Sequence, residues 1–426
     1  MRNRWVSSSL IVCAIAVGAA RCSSNLTLEE AIAHLGAGDG DGTGVSLASD
    51  GHRIAAAWAE TREGHTDVYA AMSETDGETF GPAVRVNDIE GDARVSGEQP
   101  PRVALGKDVV VVWASRANES SRIRMARSTD GGKSFLPAVT LHQEGLTGAR
   151  GWQSVAIGPD GVIHALWLDG RHAGAGMAHH HDSSGAKAMP EAAASPRQDI
   201  MHASWAANGS MIETEVAPNV CFCCKTSIAV GPDHAFYAAW RHIYPTSMRD
   251  IAVARSTDAG RTFDAPTRVS LDNWQLTGCP DDGPAMVVDA ANVIHVVWPT
   301  LVPGTPPSKG IFYAYSTDSG KSFSPRQRLD DPQGTSAAHP AIALDGRDVI
   351  VVWDDLSPAK ERRVRLRRLS QSDTAAWAPE ASAGLLVSAE SPASYPSVTV
   401  AGGKIVVAWT GEGATHSEIR VRRAVK

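Results

Sequence analysis

Short apolar runs ending in tryptophan recur along the whole chain: IAAAW at Trp58, VVVVW at Trp113, IHALW at Trp167, FYAAW at Trp240, IHVVW at Trp298, VIVVW at Trp353 and IVVAW at Trp409. The intervals between them are 55, 54, 73, 58, 55 and 56 residues. Each run is rich in Val, Ile and Ala, is bounded by Gly, Asp or Asn, and develops no helical apolar period, so it reads as a buried strand. Another apolar run precedes each, such as PRVALG from Pro101, KTSIAVG from Lys225, PAMVVD from Pro284 and PAIALD from Pro340. After most comes a third, such as RIRMAR from Arg122 or IFYAY from Ile311, then a turn and a fourth. Four antiparallel strands repeated seven times predict an all-β chain folded as a β-propeller of seven four-stranded blades. The last repeat, from Tyr395 to Lys426, holds only three strands, so the segment from about Leu26 to Gly42 is expected to supply the missing outer strand and close the ring. The 73-residue interval adds an insertion at about 171–198, rich in Ala, Gly and His.

The turn between third and fourth strands repeats a second pattern. It reads Ser128-Thr129-Asp130-Gly131-Gly132-Lys133-Ser134-Phe135, Ser256-Thr257-Asp258-Ala259-Gly260-Arg261-Thr262-Phe263 and Ser316-Thr317-Asp318-Ser319-Gly320-Lys321-Ser322-Phe323. A carboxylate in such a turn accepts backbone hydrogen bonds, Gly supplies a positive φ, and the aromatic ring tucks between sheets. A fourth copy, Ser73 to Phe80, has Thr75 in place of Asp, and degenerate versions run from Ser204 to Met211 and from Ser370 to Trp377. The motif resembles the Asp box of the sialidase superfamily, Ser-x-Asp-x-Gly-x-Thr/Ser-aromatic, over roughly residues 44 to 426. The resemblance implies a propeller in which Asp130, Asp258 and Asp318 make the fold rather than perform catalysis. Sialidases have six blades, so six is the alternative to the seven that the Trp repeat predicts.

Composition narrows the partners. The chain has 426 residues, 43% hydrophobic and 20% charged, which excludes wholesale disorder and a collagen-like chain. Twelve Trp are many for this length, and seven of them are the repeated strand-end position. Forty basic against 47 acidic residues give a net charge of −7, which argues against nucleic acid as a partner. Residues 1–20 begin Met1-Arg2-Asn3-Arg4 and continue into an apolar run ending Gly18-Ala19-Ala20, the pattern of a secretory signal cleaved after Ala20. Residues 21–43 then form the N-terminal segment and 44–426 the propeller. The expected location is secreted or periplasmic, with lipid anchoring at Cys22 as an alternative, although Arg21 departs from the small residue expected before a lipidated cysteine.

Candidate chemistry gathers on the face opposite the Asp-box turns, where inter-repeat loops and the loops after each repeated Trp lie. Two adjacent inter-repeat loops hold Cys221, Cys223, Cys224 and Cys279, in the patterns CxCC and Cys-Pro. Three readings stand: structural disulfides, which an exported protein favours; a soft-metal site for copper or zinc, with His242, His339 or the run His179, His180 and His181 as further ligands; and a redox-active thiol pair. Such a pair of loops is similar to those of bacterial sialidase-like propellers. A sialidase would need an arginine trio for the substrate carboxylate, a Tyr nucleophile activated by Glu, and an Asp acid/base. Arg116, Arg171 and Arg241, with Tyr395 and Glu412, are residues of the right types in these loops, but the Phe/Tyr-Arg-Ile-Pro motif of the family is absent: the first innermost strand reads Thr43-Gly44-Val45-Ser46-Leu47-Ala48. The expected function is therefore a sialidase-like propeller whose functional face carries a Cys/His cluster. The alternatives are an exo-sialidase and a non-enzymatic scaffold for a glycan or protein partner, and no nucleotide cofactor is expected.

Overall fold

The computed structural model describes residues 26–117, 120–172, 198–276, 282–304, 307–332, 336–371, 376–379, 384–388, 392–413 and 415–425. The signal segment, Cys22, His179, His180, His181 and Cys279 lie outside the described residues. Seven antiparallel sheets form, each built in chain order from its innermost strand outward, and they make a seven-bladed β-propeller rather than the six-bladed alternative. Blade 1 consists of Asp41–Ser49, Ile54–Arg62, His65–Ser73 and Val84–Arg85. In blade 6 the third strand, Arg362–Gln371, pairs with both Trp377–Pro379 and Leu385–Leu386. Blade 7 takes Ala393–Ala401, Lys404–Glu412 and Ser417–Val425, and its outermost strand is Thr27–Leu35 from the other end of the chain, in a register that sets Thr27 opposite Val425. The closing strand thus ties the first described residues to the last.

The second strand of every blade is covered on both faces, which is why its sequence is an unbroken apolar run instead of an alternating one. In Ile54–Arg62, Ala55 and Ala57 pack toward blade 2 with Val109, Val111 and Trp113. Ile54, Ala56 and Trp58 pack toward blade 7 with Ala401, Val406 and Ala408. Every repeated Trp obeys the same rule and wedges against the preceding blade; Trp240, for instance, meets Leu166 and Leu168. All seven are at most 1% exposed. Burying one such side chain removes about 150–250 Å² from water, roughly 4–6 kcal/mol at 25 cal/mol/Å².

The Ser-x-Asp-x-Gly turns are self-contained hydrogen-bonded units. Ser128 Oγ donates to Asp130 Oδ1 (2.8 Å) and accepts from Gly132 N (2.8 Å), while Ser134 donates its N–H to Asp130 Oδ1 (3.0 Å) and its Oγ–H to Oδ2 (2.6 Å). The same set recurs at Asp258 and Asp318. These hydrogen bonds hold all three carboxyls down at about 2. Where Thr75 replaces Asp, its hydroxyl still accepts from Thr79 N (2.9 Å). Phe80, Phe135, Phe263 and Phe323 from the four turns pack against inter-blade clusters.

At the opposite face the innermost strands of blades 1, 3, 6 and 7 carry a bulge, between Thr43 and Ser46, Gly151 and Ser154, Ala338 and Ala341, and Ser394 and Ser397. Each bulge contains a residue of positive φ: Gly44, Trp152, His339 and Tyr395. Counting back from the residue paired beside each Trp, the same position is Pro100 in blade 2, Lys225 in blade 4 and Gly283 in blade 5. A rim of seven equivalent positions therefore surrounds the axis. Below it all seven innermost strands line an axial cavity of about 300 Å³.

Candidate functional site

Only Gly44 is a residue that adopts positive φ without penalty; for Trp152, His339 and Tyr395 the conformation costs about 1–3 kcal/mol each. Such strain persists only where the surroundings over-determine it, and at His339 they do. Its backbone N–H donates to Asp282 Oδ2 (2.7 Å), Nδ1–H to Asp354 Oδ2 (2.7 Å) and Nε2–H to Glu98 Oε1 (2.9 Å). With a carboxylate on each ring nitrogen the imidazole is a cation: burial opposes the charge, but Asp354, with Glu98 and Asp282, outweighs it and pushes the pKa up to about 10. Asp354 is buried, yet His339 and Arg362 hold its carboxyl below the ordinary range. Asp354 Oδ2 also accepts from Tyr395 N (2.9 Å), which locks the second strained residue to the first, and the two rings lie 4.5 Å apart. Tyr395 lies across Gly97, where an added Cβ would fall 2.1 Å from the ring. Burial, then Glu98 and Asp354, push the phenol up to about 12.

Lys225 faces this group from blade 4. Its Nζ donates to Pro340 O (2.7 Å) and lies 3.7 Å from Asp282 Oδ1. Burial lowers its pKa against the pull of Asp282, while Asp282 is held low by Lys225 and His339 despite its own burial. The loops carrying them are pressed together, since a Cβ on Gly283 would fall 2.1 Å from Lys225 O. Glu98, Lys225, Asp282, His339, Asp354 and Tyr395 thus form one ionic and aromatic network from five blades or the loops leading into them.

The thiols stand directly behind Lys225. Cys221, Cys223 and Cys224 are buried in the cluster that joins blades 3 and 4, and their sulfurs lie within 4.8 Å of one another. Cys221 and Cys224 are free thiols with Sγ atoms 3.5 Å apart, and Cys223 is otherwise engaged. The hydrogen bond from Cys224 lowers Cys221 to about 6 against burial, with Arg249 and Arg241 assisting; Arg249 Nη1 is 3.0 Å from the sulfur. Burial raises Cys224. Among the described residues the sulfur group includes no histidine. His339 belongs to the axial network, and His242 accepts Trp240 Nε1–H on Nδ1 (3.2 Å).

The arginines expected of a sialidase serve elsewhere. Arg241 is 1% exposed and donates to the carbonyls of Asp282 (3.2 Å), Arg249 (2.9 Å) and Pro299 (2.8 Å), fixing the Asp282 loop from behind. Arg171 pairs with Asp169 (2.7 Å) and Glu213. Arg116 and Glu412 are exposed. Of the proposed catalytic set only Tyr395 stands in the axial network, and an arginine clamp is not assembled from these three. Glu98 and Lys225 carry no motif. The signal that could have found part of the rim is a recurring proline after it, in His339-Pro340, Tyr395-Pro396 and Gly283-Pro284.

No protein-family model and no curated protein matches the chain. Solved structures do. An ulvanlyase, described as a new family of polysaccharide lyase, aligns with a TM-score of 0.54 at 9% identity over 93% of this chain and 95% of its own. The same enzyme bound to -[GlcA(1-4)Rha3S]- gives 0.53 at 10% identity over 93% and 95%. A Hadza microbial sialidase gives 0.47 at 14% identity over 86% of this chain and 74% of its own. At these identities the likeness to the ulvanlyase structures shows the fold alone.

Proposed function

We propose that the protein is an exported glycan-binding propeller that holds a saccharide at the axial rim and does not hydrolyse it through Tyr395. The carrying observation is Tyr395 itself: an aromatic ring at the rim, kept in a strained backbone conformation by Asp354 and lying over a glycine. A sugar stacks on such a ring while its hydroxyls meet Glu98 and Lys225, groups of opposite charge at the same mouth. A phenol pushed up to about 12 is a poor nucleophile near neutral pH, which argues for binding over sialidase-type attack. The ulvanlyase, a propeller of the same fold whose structure holds an acidic saccharide, is consistent with this reading. The cysteine loops then brace the walls, since Cys224 immediately precedes Lys225. Calorimetric titration of sialyllactose, a glucuronate-rhamnose 3-sulfate oligosaccharide and a neutral cello-oligosaccharide tests the reading. At least one is expected to bind wild type, with affinity falling about tenfold or more in Tyr395→Ala. Turnover of a fluorogenic sialoside that disappears in Tyr395→Phe would replace binding with hydrolysis.

A second reading attaches to the Cys221 and Cys224 thiols, since Cys223 is disulfide-bonded: a buried pair of soft donors 3.5 Å apart suits copper(I) or zinc. The Arg249 guanidinium beside Cys221 favours a metal-free thiolate instead. Metal analysis of purified protein decides: stoichiometric copper or zinc that is lost in Cys221→Ser supports the metal, and two titratable thiols without metal overturn it.

A further inference from the structure

One turn of register below the rim, a second ring of equivalent positions faces the axis. Each of its members pairs with the residue just before its blade's Trp: Ser46 with Ala57, Ser154 with Leu166, Ser227 with Ala239, Ala285 with Val297, Ala341 with Val352 and Ser397 with Ala408. In blade 2 the position opposite Val112 is Arg102. Six blades thus place a small residue at the axis and one places a guanidinium. All seven line the axial cavity.

The serines are clasps between blades. Ser46 Oγ accepts from Val103 N (3.1 Å), Ser227 Oγ from Met286 N (3.1 Å) and Ser397 Oγ from Leu47 N (3.0 Å). Because a hydroxyl both accepts and donates, and none of these three donates to an acceptor among the described residues, each clasp can still offer its O–H. Arg102 has the opposite character: its Nε is fully covered and meets no acceptor among the described residues. The rim carboxylates are committed elsewhere, Asp282 to His339 N and Lys225, Asp354 to His339, Arg362 and Tyr395 N, and Glu98 to His339. Arg102 as a whole is part-buried, and a guanidinium that faces a cavity without a countercharge favours an anion there; burial lowers its pKa to about 10, so it keeps its proton at neutral pH.

The geometry points to an anion site inside the axial cavity, in which the Arg102 guanidinium and the hydroxyls of Ser46, Ser227 and Ser397 hold one compact oxyanion, a sulfate, phosphate or carboxylate group. The anion enters free or as a substituent of a glycan. This site stands on Arg102 and the serine ring and does not depend on the saccharide reading of the rim. The planar fork of arginine matches a pair of oxygens on such groups, and several donors around one cavity favour an oxyanion over a halide.

Thermal unfolding of the full chain in low-millimolar sodium sulfate, sodium phosphate, acetate and methyl glucuronide, each at constant ionic strength made up with chloride, is the test. Wild type is expected to gain Tm with at least one oxyanion, and Arg102→Ser, which installs the residue found in other blades, is expected to lose that gain, with apparent affinity at least about tenfold weaker. Arg102→Met, which keeps the side-chain stem, serves if Arg102→Ser does not fold. Stabilisation by sulfate, phosphate or acetate assigns a free oxyanion, and stabilisation by the glucuronide alone assigns a glycan substituent. Equal stabilisation of wild type and both variants, as general salt exclusion would give, or no oxyanion dependence in wild type, overturns the site.

Discussion

Buried histidines make the clearest contrast between residues of one type in this molecule. His339 sits between two carboxylates and is held as a cation, whereas His164 and His202 stack between blades 3 and 4 with Nδ1 and Nε2 3.1 Å apart and, among the described residues, no carboxylate acting on them. Burial pushes His164 down to about 4, and burial with His164 pushes His202 down to about 3. Above the unfolded pKa of about 6.5 both are neutral folded or unfolded, so their contribution is fully present; as pH falls toward about 4 and 3 only the unfolded chain takes up protons, and stability is lost. His339 has the opposite sign, since its contribution is fully present below about 6.5 and fades as pH rises through about 10. The urea midpoint is therefore expected to fall between pH 6.5 and 4.5, a window above the ordinary value of 3.8 below which Asp130, Asp258 and Asp318 begin to lose their own contribution. His202→Phe should flatten that fall. An unchanged slope in the variant would show that the pair does not drive it.

Within a blade the second strand and the turn after the third contribute differently. Trp113 is fully buried against Ala55 and Ala57 of the preceding blade, so Trp113→Ala removes a wedge that nothing refills and is expected to lower stability by about 3–5 kcal/mol. Asp258 organises its turn from a solvent-exposed position, where its partners find water when it is removed. Asp258→Ala should therefore cost clearly less than Trp113→Ala in a urea titration, and the reverse order would mean that the turns, not the wedges, hold the blades together. Both patterns are legible in sequence because each is local: four or five apolar residues before a Trp, or eight residues of a turn, repeat without reference to the rest of the chain.

The whole ring explains why the site is harder to read. Arg102 and its serine equivalents lie 11 to 13 residues before the repeated Trp, a drift set by hairpin length that hides the common position. His339 and Glu98 are 241 residues apart and meet only because blade 2 and blade 6 both face the axis. Cysteine clustering is legible in the sequence because Cys221, Cys223 and Cys224 are near neighbours, whereas nothing local shows that Lys225, next in the chain, reaches the axis. Residue type in a loop does not reveal prior commitment: Arg241 already holds three carbonyls. The proposed saccharide site at the axial rim around Tyr395 is tested by isothermal titration of wild type and Tyr395→Ala with the glucuronate-rhamnose 3-sulfate oligosaccharide, sialyllactose and a neutral cello-oligosaccharide. Saturable binding of at least one by wild type, weakened about tenfold or more in a variant that still unfolds cooperatively, is the predicted result. No binding of any of the three, or equal affinity in the two proteins, would contradict it.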